Sequence, residues 1–274
     1  LRKLDTEKSK IRYMQKDIRQ KDVFRELEIT SKEFYISYLS DFTKLTPKSR
    51  ILEVGCGEGG NLVPFAQLGC KVTGIDIAEC RIKEAKAYFS EISNHATFVC
   101  SDFMQYPVPC NEEDKYDVIL LHDVIEHVPT KEPFLAHLRK FMKTKGVLFV
   151  GFPAWQMPFG GHQQICRSKL CSHLPFIHLL PNPLYRLLLK TCNEKKGTMN
   201  ELMSIKECRT SIELFERLIT NAASGNRPKT LVHQSSLQAE VPLYPTTLAT
   251  LGLEDEVYQK FLHHFMLVYI DHKP

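Results

Sequence analysis

The 274-residue sequence has one tryptophan, no Cys-x-x-Cys pair and almost no charge imbalance. Lys plus Arg number 36 and Asp plus Glu 32, a formal net charge of +4. So small an excess, spread along the chain, does not mark a nucleic-acid binder. The nine cysteines, Cys56, Cys70, Cys80, Cys100, Cys110, Cys166, Cys171, Cys192 and Cys208, are odd in number and scattered. That argues against a secreted disulfide scaffold or a zinc finger and for reduced thiols in a cytoplasmic protein. Long apolar runs are missing too. The most apolar stretch, Leu170 to Leu189, is interrupted by His173, Pro175, His178, Pro181, Pro183 and Arg186, whereas a transmembrane helix needs ~20 predominantly apolar residues. The opening LRKLDTEKSK is charged, with no apolar core, and does not read as a signal peptide. What is present is an ordinary globular mixture, 43% hydrophobic and 25% charged.

Residues 1–46 read as polar leading helices. Phe34, Tyr35, Tyr38, Leu39 and Phe42 recur at helical spacing and give the second of them an apolar stripe, suited to packing on a core or to a lid. From Ser49 the rhythm changes to strand and helix in alternation: strands at Ile51–Val54, Lys71–Asp76, Thr97–Cys100, Tyr116–His122 and Gly146–Phe152, and helices at Asn61–Leu68, Glu79–Ile92 and Lys131–Met142. This predicts a doubly wound α/β sheet, mostly parallel, over 47–152. Residues 153–210, broken by Pro158, Gly160, Gly161, Pro175, Pro181 and Pro183, read as a helical cap inserted after strand five, with a helical piece at Leu184–Lys190. Residues 211–274 carry a helix at Ser211–Ala222 and candidate strands at Lys229–His233 and Phe265–Ile270, for seven strands in all. The stretch 234–260 is not placed.

The strongest local signal is ILEVGCGEGGNL, residues 51–62. Gly55, Gly57 and Gly59 follow a strand and precede a helix, where glycine admits positive φ and close approach of a ligand to the backbone. Gly55, Gly57 and Gly60 also satisfy the GxGxxG of dinucleotide sites. Glu53 weighs against a pyrophosphate and suits a ligand with positive charge, a sulfonium or an amine. Asp76 closes the second strand, 17 residues after Gly59, where an acid can accept both hydroxyls of a ribose. Asp102, after the third strand, can meet an adenine amino group with Ile77 and Phe103 flanking the ring. Ligands of open α/β sheets bind at this carboxyl edge.

ILEVGCGEGG, VTGIDI, FVCSDF, YDVILLHDVIEHV and GVLFVGFP, in this order, resemble the class I S-adenosylmethionine-dependent methyltransferases, and most of all the small-molecule enzymes of the ubiquinone-biosynthesis type. The resemblance spans roughly residues 45–152 and implies a Rossmann-like methyltransferase fold with S-adenosyl-L-methionine as cofactor. It places Glu53, Gly55, Cys56, Gly57 and Gly59 along the methionine moiety. It puts Asp76 at the ribose, Ile77 and Phe103 on the adenine faces, Asp102 at the adenine amino group and His122 under the sulfonium.

HDVIEHV, residues 122–128, follows the fourth strand, where the methyl group would emerge. Three readings compete for Asp123, Glu126 and His127. In ubiquinone-type O-methyltransferases a similar acid-x-x-Glu-His trio is linked to a divalent metal, with Asp in first place here as a departure. The pair Glu126-His127 also suits a turn cap. The preferred reading has no metal and uses His127 as the general base that takes a hydroxyl proton.

WQMPFGGHQQ, residues 155–164, offers Trp155, His162 and Gln163 as contacts to a sugar or another polyol, or Trp155 as an anchor of the insertion. LPFIHLLPNPLYRLLLK, residues 174–190, reads as a cap over the pocket, with peripheral membrane docking as the alternative. The function expected is O-methylation of a small-molecule hydroxyl on a sugar, a quinol or phenol, or a lipid-linked acceptor. A non-catalytic binding protein and a nicotinamide-dependent oxidoreductase are the competing classes. The fourth strand lacks the Asn/Asp-Pro-Pro-aromatic sequence of amino-group nucleic-acid methyltransferases, and Pro109-Cys110 lies ahead of it. Oligomeric state is left open.

Overall fold

The computed structural model describes residues 23–93 and 95–222, together with the backbone of two further strands at 233–235 and 264–269. The part of the expected helices over 1–22 lies outside the described residues, as does the stretch 234–260 apart from Gln234 and Ser235. The chain divides into two compact units. One comprises Leu1–Leu120 with Phe141–Val147, the other Leu121–Lys140 with Leu148–Pro274.

The first unit is built on β1 (Arg50–Val54), β2 (Lys71–Asp76), β3 (Ala96–Cys100), most of β4 (Tyr116–His122) and the start of β5 (Met142–Phe152). The sheet order is β3-β2-β1-β4-β5. β1 pairs with β2 and β2 with β3 in parallel. Ile51, Leu52 and Val54 of β1 are buried, as are Val118, Ile119 and Leu120 of β4, the near-continuous apolar run of a strand covered on both faces. The register pairs Glu53 with Gly74 and Asp76 with Cys100, so the three parallel strands end together. That alignment brings Glu53, Asp76 and Asp102 to one edge.

The link from β1 to β2 is a 3₁₀ turn, Gly60–Leu62, running into the helix Val63–Gln67 and closed by Gly69 at φ +85°. The link from β2 to β3 is the helix Glu79–Phe89, which sends Ile82, Ala85 and Phe89 inward. Residues 23–40 are helical, with a π-helical turn at Ser31–Tyr35. Of the apolar stripe read from the sequence, Tyr35 and Leu39 are buried, whereas Phe34 is exposed. The Ser31 hydroxyl donates to the carbonyl of Asn61 at 2.7 Å.

In the second unit β4 ends at His122 and β5 runs on to Phe152. β7 (His264–Tyr269) is the next strand after β5, and β6 (His233–Ser235) pairs antiparallel with β7. Of the expected strand Lys229–His233 only His233 falls among the described residues, and Ile270 of the other lies beyond them. β5 begins at Met142, four residues before the predicted start. The added residues are held from the side. Lys143 pairs with Asp117 at 2.9 Å, and the Thr144 amide and hydroxyl both donate to Glu112. The helix Lys131–Arg139 accordingly stops short of Met142.

After Phe152 come short helices at Lys169–His173, Asn182–Thr191 and Lys196–Cys208, then Ile212–Ala222. They enclose a core of their own: Cys166, Cys171, Ile177, Tyr185, Leu189, Leu202 and Met203. All nine cysteines are free. Among the described residues no helix is long and apolar enough to cross a membrane.

Candidate functional site

In the first unit the glycine loop has left-handed backbone at three positions: Gly55 at φ +72°, Gly57 at +52° and Gly59 at +85°. At Gly59 the requirement is doubled, since a Cβ there would lie 2.9 Å from the Phe98 ring and 3.1 Å from that of Phe89. Gly59→Ala is expected to cost ~1–3 kcal/mol of stability through backbone strain and overpacking. A Tm unchanged from wild type in thermal denaturation would overturn this.

Asp76 ties the loop to β2. Its Oδ2 accepts from the Gly57 amide at 2.9 Å and its Oδ1 from the Ala78 amide at 2.7 Å. Each oxygen retains acceptor capacity. Asp102 caps the 3₁₀ turn Phe103–Gln105, accepting from the Met104 amide at 2.9 Å. Ile77 is 78% exposed, a large apolar side chain presented to solvent beside two carboxylate-bearing turns.

Two cofactor assignments need correction in their side chains. Phe103 is buried, its ring 4.9 Å from that of Phe141, so it faces the core and Met104 is the exposed neighbour. The Cys56 thiol is buried too and donates to the Gly57 carbonyl at 3.5 Å, while its amide donates to Ile75. Burial and the nearby Glu53 carboxylate push that thiol well above its ordinary range. It is an inert packing group under the loop.

Glu53 is the most unusual group in this unit. It is 1% exposed, and Oε1 accepts from the Asn61 side chain at 2.7 Å. Oε2 is buried with no hydrogen-bond partner among the described residues. Burial pushes its carboxyl up to about 8, against the opposing effect of the Asn61 hydrogen bond and with a further rise from Asp76. A cation placed at Oε2 would relieve that cost. Asn61 was not among the residues singled out from the sequence, although it closes the glycine motif itself.

In the second unit His122 ends β4, its Nε2 3.6 Å from Asp123 Oδ2. Asp123 has φ +52° and His162 φ +57°, both in the region L side chains rarely adopt. His127 closes the 3₁₀ turn Ile125–His127. Glu126, 1% exposed, holds His162 Nε2 at 3.0 Å through Oε1, and its Oε2 has no hydrogen-bond partner among the described residues. The His127 and His162 rings stand edge to face at 5.5 Å. Donor atoms of Glu126, His127 and His162 lie within 4.8 Å of one another. The cluster therefore takes His162, 35 residues along the chain, where the sequence pattern put Asp123. Backbone strain collected at such a cluster points toward function.

The other acceptor-side residues divide. Gln163 is fully buried, its Nε2 donating to the Pro158 carbonyl at 2.8 Å, so it braces the insertion and is not a rim contact. Trp155 is anchored at both backbone groups. Its amide donates to Thr210 at 2.8 Å and its carbonyl is 2.9 Å from His178 Nε2. Its ring meets the His178 ring edge-on at 4.6 Å, and Lys206 Nζ stands 5.5 Å from the Trp155 ring and 5.7 Å from that of Tyr185. Lys206 also donates to the His178 carbonyl, and burial lowers its ammonium pKa, assisted by Arg209. This geometry fits the anchoring role for Trp155. Lys206→Ala would orphan a buried carbonyl and remove a cation from two rings, and should lower stability by ~1–3 kcal/mol. Thermal denaturation with a separate cofactor titration checks it, and an unshifted Tm would sink it.

A family model described as a methyltransferase domain matches residues 24–163, just over half of the chain. Over 125 residues the chain is 32% identical to a ubiquinone biosynthesis O-methyltransferase of Bartonella quintana (strain Toulouse), covering 43% of this chain and 49% of that protein. A sterol 24-C-methyltransferase of Gibberella zeae is 31% identical over 125 residues, 44% of this chain and 31% of that one. The chain thus spans about half the length of the first curated relatives it matches. In fold it is similar to the plantazolicin methyltransferase BpumL, solved with a monoazolic desmethylPZN analog and SAH. The TM-score is 0.57 at 18% identity, with 94% of this chain and 90% of that one covered. The glycine loop, the strand-end acids and the matched residues lead to one assignment: the chain belongs to the methyltransferase domain family, of the class I, S-adenosylmethionine-dependent kind.

Proposed function

We propose that this chain transfers a methyl group from S-adenosyl-L-methionine to a hydroxyl oxygen of a small molecule. The observation that carries the reading is the buried Glu53 carboxyl, whose Oε2 has no partner among the described residues, beside a loop with three left-handed glycines. A buried carboxyl of that kind, ionised as a cation arrives, suits the positively charged end of the cofactor and opposes a pyrophosphate. When bound, the cofactor supplies a methyl group on a sulfonium: the acceptor O–C bond forms, the S–C bond breaks and S-adenosylhomocysteine leaves.

The protein's own part is alignment and proton removal. Gly55, Gly57 and Gly59 keep side chains out of the cofactor's way, and Asp76 holds both the loop and the ribose. Asp102 and Ile77 receive the adenine, with Met104 in place of the Phe103 ring, and His122 is the residue that the resemblance assigns to the sulfonium. His127 takes the acceptor's proton, and His162, fixed by Glu126, borders the acceptor. A hydroxyl acceptor is favoured because two imidazoles, each able to accept a proton, stand with the buried Glu126 carboxylate within 4.8 Å. The acceptors are small molecules of the quinol, phenol or sugar class. Nucleic acid is not among them.

The first test is calorimetry. S-adenosylhomocysteine should bind in the micromolar range and NAD should not, and tight NAD binding without S-adenosylhomocysteine binding would overturn the reading. Asp76→Ala should weaken the cofactor by ~1–3 kcal/mol, the range for orphaned buried hydrogen-bonding groups. Turnover on a panel of quinols, phenols and sugars then identifies the acceptor.

A second reading has one specific observation behind it. Among the described residues Glu126 Oε2 is buried without a hydrogen-bond partner, and two imidazoles stand within 4.8 Å. One carboxylate and two imidazoles suit Mn²⁺ or Zn²⁺. A divalent ion held by Glu126, His127 and His162 would polarise the acceptor oxygen as a Lewis acid.

A further inference from the structure

Between Ile165 and Leu187 seven large apolar side chains stand at least 40% exposed: Ile165, Leu170, Leu174, Phe176, Leu179, Leu184 and Leu187. They make up seven of the thirteen such side chains among the described residues, gathered in 23 positions of the second unit. Isolated exposed leucines need no explanation, but a concentration of this kind marks an interaction surface.

The segment is not apolar for want of a core. The helix Asn182–Thr191 buries Tyr185 and Leu189 in the cluster with Cys166, Cys171, Ile177, Leu202 and Met203. At 100° per residue, Leu187 points almost opposite that inner stripe, with Leu184 on one flank and Arg186 and Lys190 on the other. Both faces of one helix are thus apolar, and among the described residues only the inner one is covered by its own unit.

Charge identifies what covers the outer face. From Ala154 to Asn200 the sequence holds six lysines and arginines and a single acid, Glu194. All six cations, Arg167, Lys169, Arg186, Lys190, Lys195 and Lys196, are exposed. Glu194 is buried and spent inside the fold, accepting from the Arg167 amide at 3.0 Å and the Ser168 amide at 2.8 Å. Within this stretch the surface therefore presents leucines among cations with no exposed acid, the next exposed acid along the chain being Glu201. A second copy of the chain would bring like charges together. We propose that this face docks on an anionic lipid bilayer, the leucines entering the headgroup–acyl boundary and the cations meeting lipid phosphates.

Co-sedimentation of the full chain with vesicles tests this without reference to activity. Binding to phosphatidylglycerol-containing vesicles should be clear, fall with added salt and be near background on pure phosphatidylcholine. Arg186→Gln with Lys190→Gln should lower partitioning about 30-fold, ~1 kcal/mol for each basic residue near an anionic surface. Leu184→Asp with Leu187→Asp should lower it at least about tenfold with S-adenosylhomocysteine affinity and Tm unchanged, since neither residue belongs to the cofactor site or the core. Failure to bind anionic vesicles would overturn the proposal. So would equal binding to phosphatidylcholine, or variants that dissociate an oligomer in sedimentation velocity while leaving vesicle binding intact.

Discussion

Replacing Glu53 by glutamine should weaken S-adenosylhomocysteine binding about 10- to 100-fold, since hydrogen bonds to charged groups are worth ~1.5–3 kcal/mol. It should also abolish the pH dependence of that binding. In the cofactor-free chain burial holds the carboxyl up at about 8, so near neutral pH it carries a proton. The cofactor's cation favours the charged form and must displace that proton. Affinity for the wild-type chain should therefore rise with pH up to about 8, with proton uptake by the buffer visible when calorimetry is repeated in buffers of different ionisation enthalpy. The Gln variant should release no proton.

The same group acts on stability with a definite sign. The folded value is raised above the ordinary value of 4.5. The native state then binds more protons than the unfolded chain between about 4.5 and 8. The contribution is fully present below 4.5, declines as pH rises through about 8, and is constant beyond. Cofactor-free Glu53→Gln should thus gain stability relative to wild type at pH 8 and gain little at pH 5. If the Tm difference between variant and wild type is the same at both pH values, and no proton is released on binding, Glu53 is not the cation's partner.

How far the sequence could be read depends on how local each determinant is. The glycine loop, Asp76 and the strand ends lie within runs of about ten residues, and steric rules for positive φ and for buried strands suffice to place them. Phe103 fails for a reason of register. Asp102 caps a tight turn, and which of Phe103 and Met104 faces inward is decided by that turn and by Phe141, 38 residues away. β5 starts ahead of the predicted strand because Lys143 to Lys145 are polar in pattern, and Lys143 and Thr144 are held by Asp117 and Glu112, neither of them adjacent in sequence. Gln163 and Trp155 look like rim groups in a glycine- and proline-rich stretch, yet the Gln163 side-chain amide donates to the Pro158 carbonyl and both backbone groups of Trp155 are bonded to Thr210 and His178. No periodicity encodes such bonds.

The Glu126–His162 pair is the sharpest case. An acid-x-x-acid-His pattern suggests that the three sequence neighbours act together, but the left-handed turn at Asp123 directs it toward His122, and the third member arrives from residue 162. That exchange yields the second large effect. With His127 as general base, His127→Ala should lower kcat by about 10²–10⁴-fold, leave cofactor affinity unchanged and remove the acid limb of the pH–rate profile. His162→Ala should do less if its part is to border the acceptor, raising KM more than it lowers kcat. A chelator should then have no effect. With a divalent ion on Glu126, His127 and His162, the pattern changes in three ways. Chelation abolishes turnover, either histidine variant is about equally damaging, and added Mn²⁺ or Zn²⁺ raises the Tm of the wild-type chain but not of the variants. The thermal shift reads the ion apart from turnover, so the two chemistries are separable even before the acceptor is identified. Near-wild-type turnover of His127→Ala without metal dependence would defeat both, leaving alignment of acceptor and cofactor as the whole of the catalysis.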